Sequence, residues 1–181
     1  QTYKKIEKEH NFSRDRVIVL AENDWHHGVI GIVSSRITEH YNLPSILISF
    51  DGSDEGDSGE DIGKGSGRSI KGLNLVEALN YCSDLLVKFG GHELAAGLSI
   101  ERAKLPEFKR RINEYAREHL SESDLATTID VDCELRPDEI TLRQVNELYL
   151  LEPFGIANPV PVFALRDARI IDVSSIGSGK H

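Results

Sequence analysis

The chain has 181 residues, 39% of them apolar and 28% charged, the make-up of a globular protein long enough for one ordinary domain and part of another. Its formal net charge of −9 argues against a surface that neutralises phosphates everywhere, so any anion site has to be local. No apolar run reaches membrane-spanning length and no basic-then-apolar leader opens the chain; the expectation is a cytoplasmic protein with no membrane partner. Residues 1–10 pattern as the end of a charged helix, and Arg16–Ala21 as a short buried strand. In the following segment Val29, Ile30, Val33 and Ile37 fall on one helical face. Gly31 interrupts that helix at a cost of about 1 kcal/mol against alanine, which implies close packing or close approach of a ligand. Pro44–Phe50 is a second buried strand, so strand, helix and strand predict a parallel βαβ pair.

The stretch DGSDEGDSGEDIG then carries six acidic residues and no base, and reads as a solvated loop. It opens like a calcium loop at Asp51, Ser53 and Glu55, but Ile62 stands where a bidentate glutamate belongs. GKGSGRSI follows as a glycine-weakened strand. Asn74 is placed to cap a helix whose stripe is Leu75, Ala78, Leu79, Cys82, Leu85, Leu86 and Phe89, ended by Gly90 as a C′ glycine. ELAAGLSI is a strand of small residues, and Pro106 opens a further helix with Phe108, Ile112 and Tyr115 inward. After about residue 122 the rhythm changes. TIDVDCEL alternates as a strand, TLRQVNELYLL as a short helix, and VFALRDARIIDVSSI as strands of an all-β unit that stops unfinished. The chain begins at Gln1 and holds no methionine, so a piece of a longer protein is expected. Cys82 and Cys133 match no metal spacing, and Cys82 lies on an apolar helical face; a reduced compartment is expected.

Three constellations stand out. NDWHHG places Trp25 and His26 at a helix start beside Asp24 and His27. A metal set, an anion contact at helix N–H groups and plain capping with Trp25 packed all remain open. GKGSGRSI offers Arg68 and Ser69 after alternating glycines, which would let a backbone approach a phosphodiester that the guanidinium holds in bidentate fashion, or would simply be a flexible hairpin. It is no P-loop, since spacing and context are wrong. FGGHELAAG has either a plain helix stop, which accounts for Gly90 alone, or a backbone nest that also uses Gly91, Ala95, Ala96 and Gly97, with His92 at its rim. Lys64 and Lys71 are possible backbone contacts from charge alone.

Taken together, WHHGVIGIVSSRI, GKGSGRSI, FGGHELAAGLSI and LEPFGIANPVPVF resemble, in order and spacing, the RecJ-type single-strand-specific exonucleases of the DHH phosphoesterase superfamily. The resemblance implies an α/β chain: a DHHA1-type domain with a central mixed sheet flanked by helices, then the truncated beginning of a β-barrel of the oligonucleotide-binding kind. It divides the chain into the end of a linker helix (1–11), a DHHA1 substrate-binding domain (12–122), and a connector with a partial OB-fold (123–181). It implies that Arg68 and Ser69 hold the substrate phosphate near the scissile bond. His92, with the backbone of Gly90 and Gly91, would complete that pocket, and Trp25 and His26 match family positions. The catalytic domain with its DHH motif and two Mn2+ or Mg2+ ions would lie upstream. No catalytic or metal-binding residue is expected in this fragment, which should be inactive alone and carry no metal of its own. The expected partners are single-stranded DNA and the upstream DHH domain, in a 5′-to-3′ exonuclease. Ser34 and Ala157 depart from the commoner alanine and glycine of the family motifs. The alternatives are a DHH/DHHA1 phosphodiesterase for short oligonucleotides or cyclic dinucleotides, a non-catalytic nucleic-acid-binding module, and a structural interaction domain.

Overall fold

The computed structural model describes residues 2–50, 61–155, 157–169 and 171–174. The acidic stretch and its calcium-like start lie outside the described residues, apart from its last three positions. Helix α1 spans Thr2–Glu9, strand β1 Ile18–Asn23, helix α2 His27–Tyr41 and strand β2 Ser45–Phe50. Strand β3 (Ile62–Arg68), helix α3 (Leu75–Tyr81), strands β4 (Leu86–His92) and β5 (Ala95–Glu101), and helices α4 (Leu105–His119) and α5 (Glu122–Leu125) follow. The five strands form one mixed sheet in the order β1-β2-β3-β5-β4. Only β1 and β2 are parallel; the other neighbours are antiparallel.

The sheet separates two apolar cores. On one face, Ile18, Leu20 and Leu47 pack with Ile6 of α1 and with Ile30 and Ile37 of α2. On the other, Val19, Ile46, Ile48, Phe50, Leu98 and Ile100 meet Leu75 and Leu79 of α3 and Phe108 and Ile112 of α4. Alternation along each strand produces this division. A buried polar set joins α2 to β2: the Ser45 hydroxyl lies 2.8 Å from that of Ser34 and 2.9 Å from that of Thr38. The departure at Ser34 is therefore a packed, hydrogen-bonded core position. Asn113 of α4 satisfies the backbone just ahead of β1. Its Oδ1 accepts from the amides of Arg16 and Val17, and its Nδ2 donates to the Val17 carbonyl.

One expectation from the sequence is corrected. The helix capped by Asn74, whose Oδ1 accepts from the amides of Val76 and Glu77, ends at Tyr81 rather than Phe89. A single 3-10 turn at Ser83–Leu85 leads into β4, so Phe89, Gly90, Gly91 and His92 are strand residues and Gly90 is no helix terminator. The ladder slips between Leu86 and Lys88. This bulge at Val87 turns both Leu86 and Phe89 toward the same core, a three-residue spacing that imitates a helix.

Residues Thr128–His181 form a second compact unit. It holds a two-residue parallel pair, β6 (Cys133–Glu134) with β7 (Phe163–Ala164), and helix α6 at Leu142–Glu147 continued by a 3-10 turn at Leu148–Leu151. The strands expected over TIDVDCEL and VFALRDARIIDVSSI are thus only two residues long among the described residues. Alternation fixes a strand through a buried face. Here Ile129, Ile171 and Val173 are 73%, 88% and 82% exposed. No described helix is long and apolar enough to cross a membrane.

Candidate nucleic-acid interface

Strand β3 shows why its glycines alternate. A Cβ at Gly63 would lie 2.6 Å from Phe50, at Gly65 3.0 Å from Ile48 and Leu98, and at Gly67 2.9 Å from Leu75. These glycines face the core and make room for large neighbours. They do not bring the backbone to a ligand, and the flexible-hairpin reading fails with that one, since β3 is paired on both sides. The residues between them, Lys64, Ser66 and Arg68, point to the opposite face, where α2 packs on β2 and β3.

The register extends that face beyond α2. Lys64 is opposite Ser99 and Ser99 is opposite Lys88; Ser66 is opposite Gly97 and Gly97 opposite Gly90; Arg68 is opposite Ala95 and Ala95 opposite His92. Three parallel rows therefore cross β3, β5 and β4. The outer rows end in cations or an imidazole. The middle row is nearly bare, and none of the nine positions is acidic. Lys64, Lys88, Gly90, His92 and Gly97 are all exposed. A Cβ at Gly90 would meet nothing within 4 Å, and one at Gly97 only a carbonyl oxygen at 3.7 Å. The fold itself does not require Gly90 to be glycine.

Arg68 is oriented before any ligand arrives. Its Nε donates to Ser35 Oγ at 3.1 Å, and Nη1 donates to Ser66 Oγ at 3.2 Å and to the Gly67 carbonyl at 2.8 Å. Nη2 has no acceptor, and no carboxylate pairs with the guanidinium, among the described residues. Gly31 explains itself here: a Cβ on it would sit 3.2 Å from Nη2 and 3.1 Å from Ser66 Oγ. The glycine in α2 leaves space for the guanidinium.

Gly91 differs from Gly90. Its φ is +153°, and a Cβ would lie 2.4 Å from the Ala95 carbonyl oxygen. It permits the tight hairpin through Glu93 and Leu94 that puts His92 opposite Ala95. Gly90 and Gly91 thus sit in an extended ladder and form no backbone nest. The Leu94 carbonyl accepts from the Ser69 amide and the Glu93 carbonyl from the Leu75 amide, so the hairpin tip is tied to the start of α3.

The remaining candidates are distributed differently. Ser69 donates its hydroxyl hydrogen to the Leu73 carbonyl at 2.8 Å and serves the turn after β3. Lys71 is exposed in that turn, outside the three rows. His26 is the N-cap of α2, its Nδ1 accepting from the Gly28 amide at 3.1 Å. Trp25 packs against the Ile30 core, and its carbonyl accepts from Ser49 Oγ at 2.7 Å. Because Ser49 is the register partner of Lys64, this turn lies at the level of the lysine row, away from Arg68. Sequence reasoning missed Lys88, Ser66 and Ser35, and gave Gly97 to a backbone nest where it is a bare position on β5. Reading β4 as a strand would have found Lys88, since it alternates with Phe89. Among the described residues no three of His, Cys, Asp and Glu converge to hold a metal.

With the geometry in place, comparison with known proteins is specific. The family model for the DHHA1 domain matches residues 14–118, and that for the RecJ OB domain matches residues 131–181. The chain belongs to the DHHA1 domain family. Its relatives there include the single-stranded-DNA-specific exonuclease RecJ of Bacillus subtilis, 38% identical over 90% of this chain and 20% of that protein. The protein of the same name from Thermus thermophilus is 37% identical over 92% of this chain and 22% of its own length. Crystal structures of Thermus thermophilus RecJ in complex with Mg2+ and with Mn2+ superpose with TM-scores of 0.71 and 0.72 at 35% identity, covering 90% and 91% of this chain and 24% and 23% of theirs. The chain spans about a fifth to a quarter of the length of these relatives.

Proposed function

We propose that this chain is the strand-binding part of a single-strand-specific exodeoxyribonuclease working from the 5′ end, and that the open sheet face receives the DNA. The observation that carries this reading is the Arg68–Ala95–His92 row beside the bare Gly97–Gly90 floor. Arg68 is braced by Ser35, Ser66 and the Gly67 carbonyl, so Nη2 presents two N–H donors in a fixed direction to a phosphate oxygen. His92 approaches the same phosphate from the opposite strand. Gly90 and Gly97 let the sugar-phosphate chain lie against the sheet between them. Together these residues bind and orient the scissile phosphodiester, a positioning role that lowers the barrier by fixing geometry.

Hydrolysis is assigned to an upstream DHH domain of the same longer protein, where Mn2+ or Mg2+ would supply the Lewis-acid chemistry. The chain alone is then inactive, and the enzyme works in the cytoplasm. Similarity over residues 131–181 to the RecJ OB domain favours this reading over a hydrolase of short oligonucleotides or cyclic dinucleotides.

The test is binding of 5′-phosphorylated oligo-dT by fluorescence anisotropy. Arg68→Gln and His92→Ala are each expected to weaken binding about tenfold or more, the loss of a hydrogen bond to the charged phosphate being on the order of 1.5–3 kcal/mol, with unchanged melting. Wild-type affinity in both variants would sink the assignment. So would Mn2+-dependent nuclease turnover by the 181-residue chain that His92→Ala abolishes.

A further inference from the structure

We infer that the same face carries a second phosphate contact, the Lys64–Lys88 pair, two nucleotides along the strand from the Arg68–His92 pair. This rests on the reading of the open face as the strand-binding surface. It names what that reading leaves open: the length and shape of nucleic acid the face grips.

Lys64 and Lys88 flank Ser99 from the two neighbouring strands, as Arg68 and His92 flank Ala95. Both lysines are exposed, and neither has a carboxylate partner among the described residues. Along β3, Lys64 and Arg68 are four residues apart and on one face, a separation of about 13 Å at ~3.3 Å per residue. A nucleotide contributes six backbone bonds from one phosphorus to the next, and two amino-acid residues also contribute six. A drawn-out nucleic-acid strand therefore repeats at about the ~6.6 Å of a β-strand dipeptide. The two cationic rows then match phosphates one and three, and phosphate two falls on the middle row.

That middle row suits it. Gly97 and Gly90 offer no side chain, and Ser66 has a hydroxyl hydrogen to donate, since its oxygen accepts from Arg68. The face is about two strand spacings wide between β3 and β4, roughly 10 Å, so the cations reach inward from both margins over a floor of Ser, Ala and Gly. A duplex strand curves away from such a floor within a few nucleotides, whereas a stretched single strand stays on it. The ligand class is thus an extended single strand of at least three phosphates.

The test uses the 181-residue chain with fluorescein-labelled, 5′-phosphorylated oligo-dT of two to six nucleotides. Wild-type affinity is expected to rise about tenfold between two and four nucleotides. Lys88→Gln is expected to erase that rise and to leave dinucleotide binding unchanged. It should also flatten the dependence of log K on log salt by about 0.7, the value for one phosphate contact on a single strand. Lys88→Arg should restore both. Lys8→Gln, a surface charge on α1, controls for net charge. If Lys88→Gln matches wild type while Arg68→Gln is weakened, the second contact is wrong and the strand-binding reading stands. Equal losses in Lys88→Gln and Lys8→Gln also overturn the second contact. No effect in Arg68→Gln, or no binding by wild type at low salt, removes the reading on which both rest.

Discussion

At the residue scale, the adjacent glycines Gly90 and Gly91 have opposite reasons to be glycine. Gly91 is demanded by the fold: its φ of +153° and the Ala95 carbonyl 2.4 Å from any Cβ leave no space. Gly90 faces open space. Gly91→Ala is expected to cost about 3 kcal/mol in a urea melt. Gly90→Ala is expected to stay within about 0.5 kcal/mol of wild type while weakening oligo-dT binding severalfold, because the methyl intrudes on the floor. A Gly90→Ala variant with wild-type affinity would show that the strand does not pass there. The sequence made the pair conspicuous but could not separate their roles. Two glycines in a row look alike until the partner strand is known.

At the element scale, α2 is tied to the site by an absence. Gly31 removes the methyl that would crowd Nη2 of Arg68. Gly31→Ala gains up to about 1 kcal/mol of helix propensity and displaces the guanidinium. The expected outcome is unchanged or raised stability with weaker binding, read by a melt and a titration on one sample. Tighter or unchanged binding would mean that Nη2 is not the phosphate contact. The βαβ start of the domain was legible because β1 and β2 are short apolar runs, buried contiguously, and α2 between them carries Ile30, Val33 and Ile37 at helical spacing, although Val29, on the expected stripe, is exposed. Strand β4 was not legible. Its bulge at Val87 places Leu86 and Phe89 three residues apart on one face, extending by coincidence the helical stripe that Leu75, Ala78, Leu79 and Cys82 begin. The same error hid Lys88. Asn113 was invisible for another reason: a polar residue on an apolar helical face has no signature until the backbone it satisfies, 96 residues away, is known.

At the scale of the whole molecule, the two cores use, among the described residues, only positions between Ile6 and Leu125. A chain ended at Thr127 is therefore expected to fold, melt in one transition and keep its oligo-dT affinity. Loss of cooperative melting would show that the second unit contributes to the first. Global stability should also depend on pH through His10, which follows α1. Burial holds its imidazole below the ordinary 6.5, against the opposing pull of Asp15, and its Nε2 is buried with no partner among the described residues. The unfolded chain takes up that proton near 6.5 and the folded chain only at lower pH. Stability is therefore level above 6.5 and falls as the pH drops below it. In melts between pH 7.5 and 5.5, His10→Gln should lose part of that decline; an identical decline would exclude His10 as its source.

The alternation in β3 has a consequence for genetics. Gly63, Gly65 and Gly67 answer to the core of α3 and α4, while Lys64, Ser66 and Arg68 point to the α2 side of the sheet. A saturation scan selected for soluble expression should protect the glycines and tolerate change between them. One selected for DNA binding should add the intervening positions. Subtracting the first map from the second leaves a comb with a period of two residues, so six contiguous letters, Gly63 to Arg68, encode two separate sets of instructions.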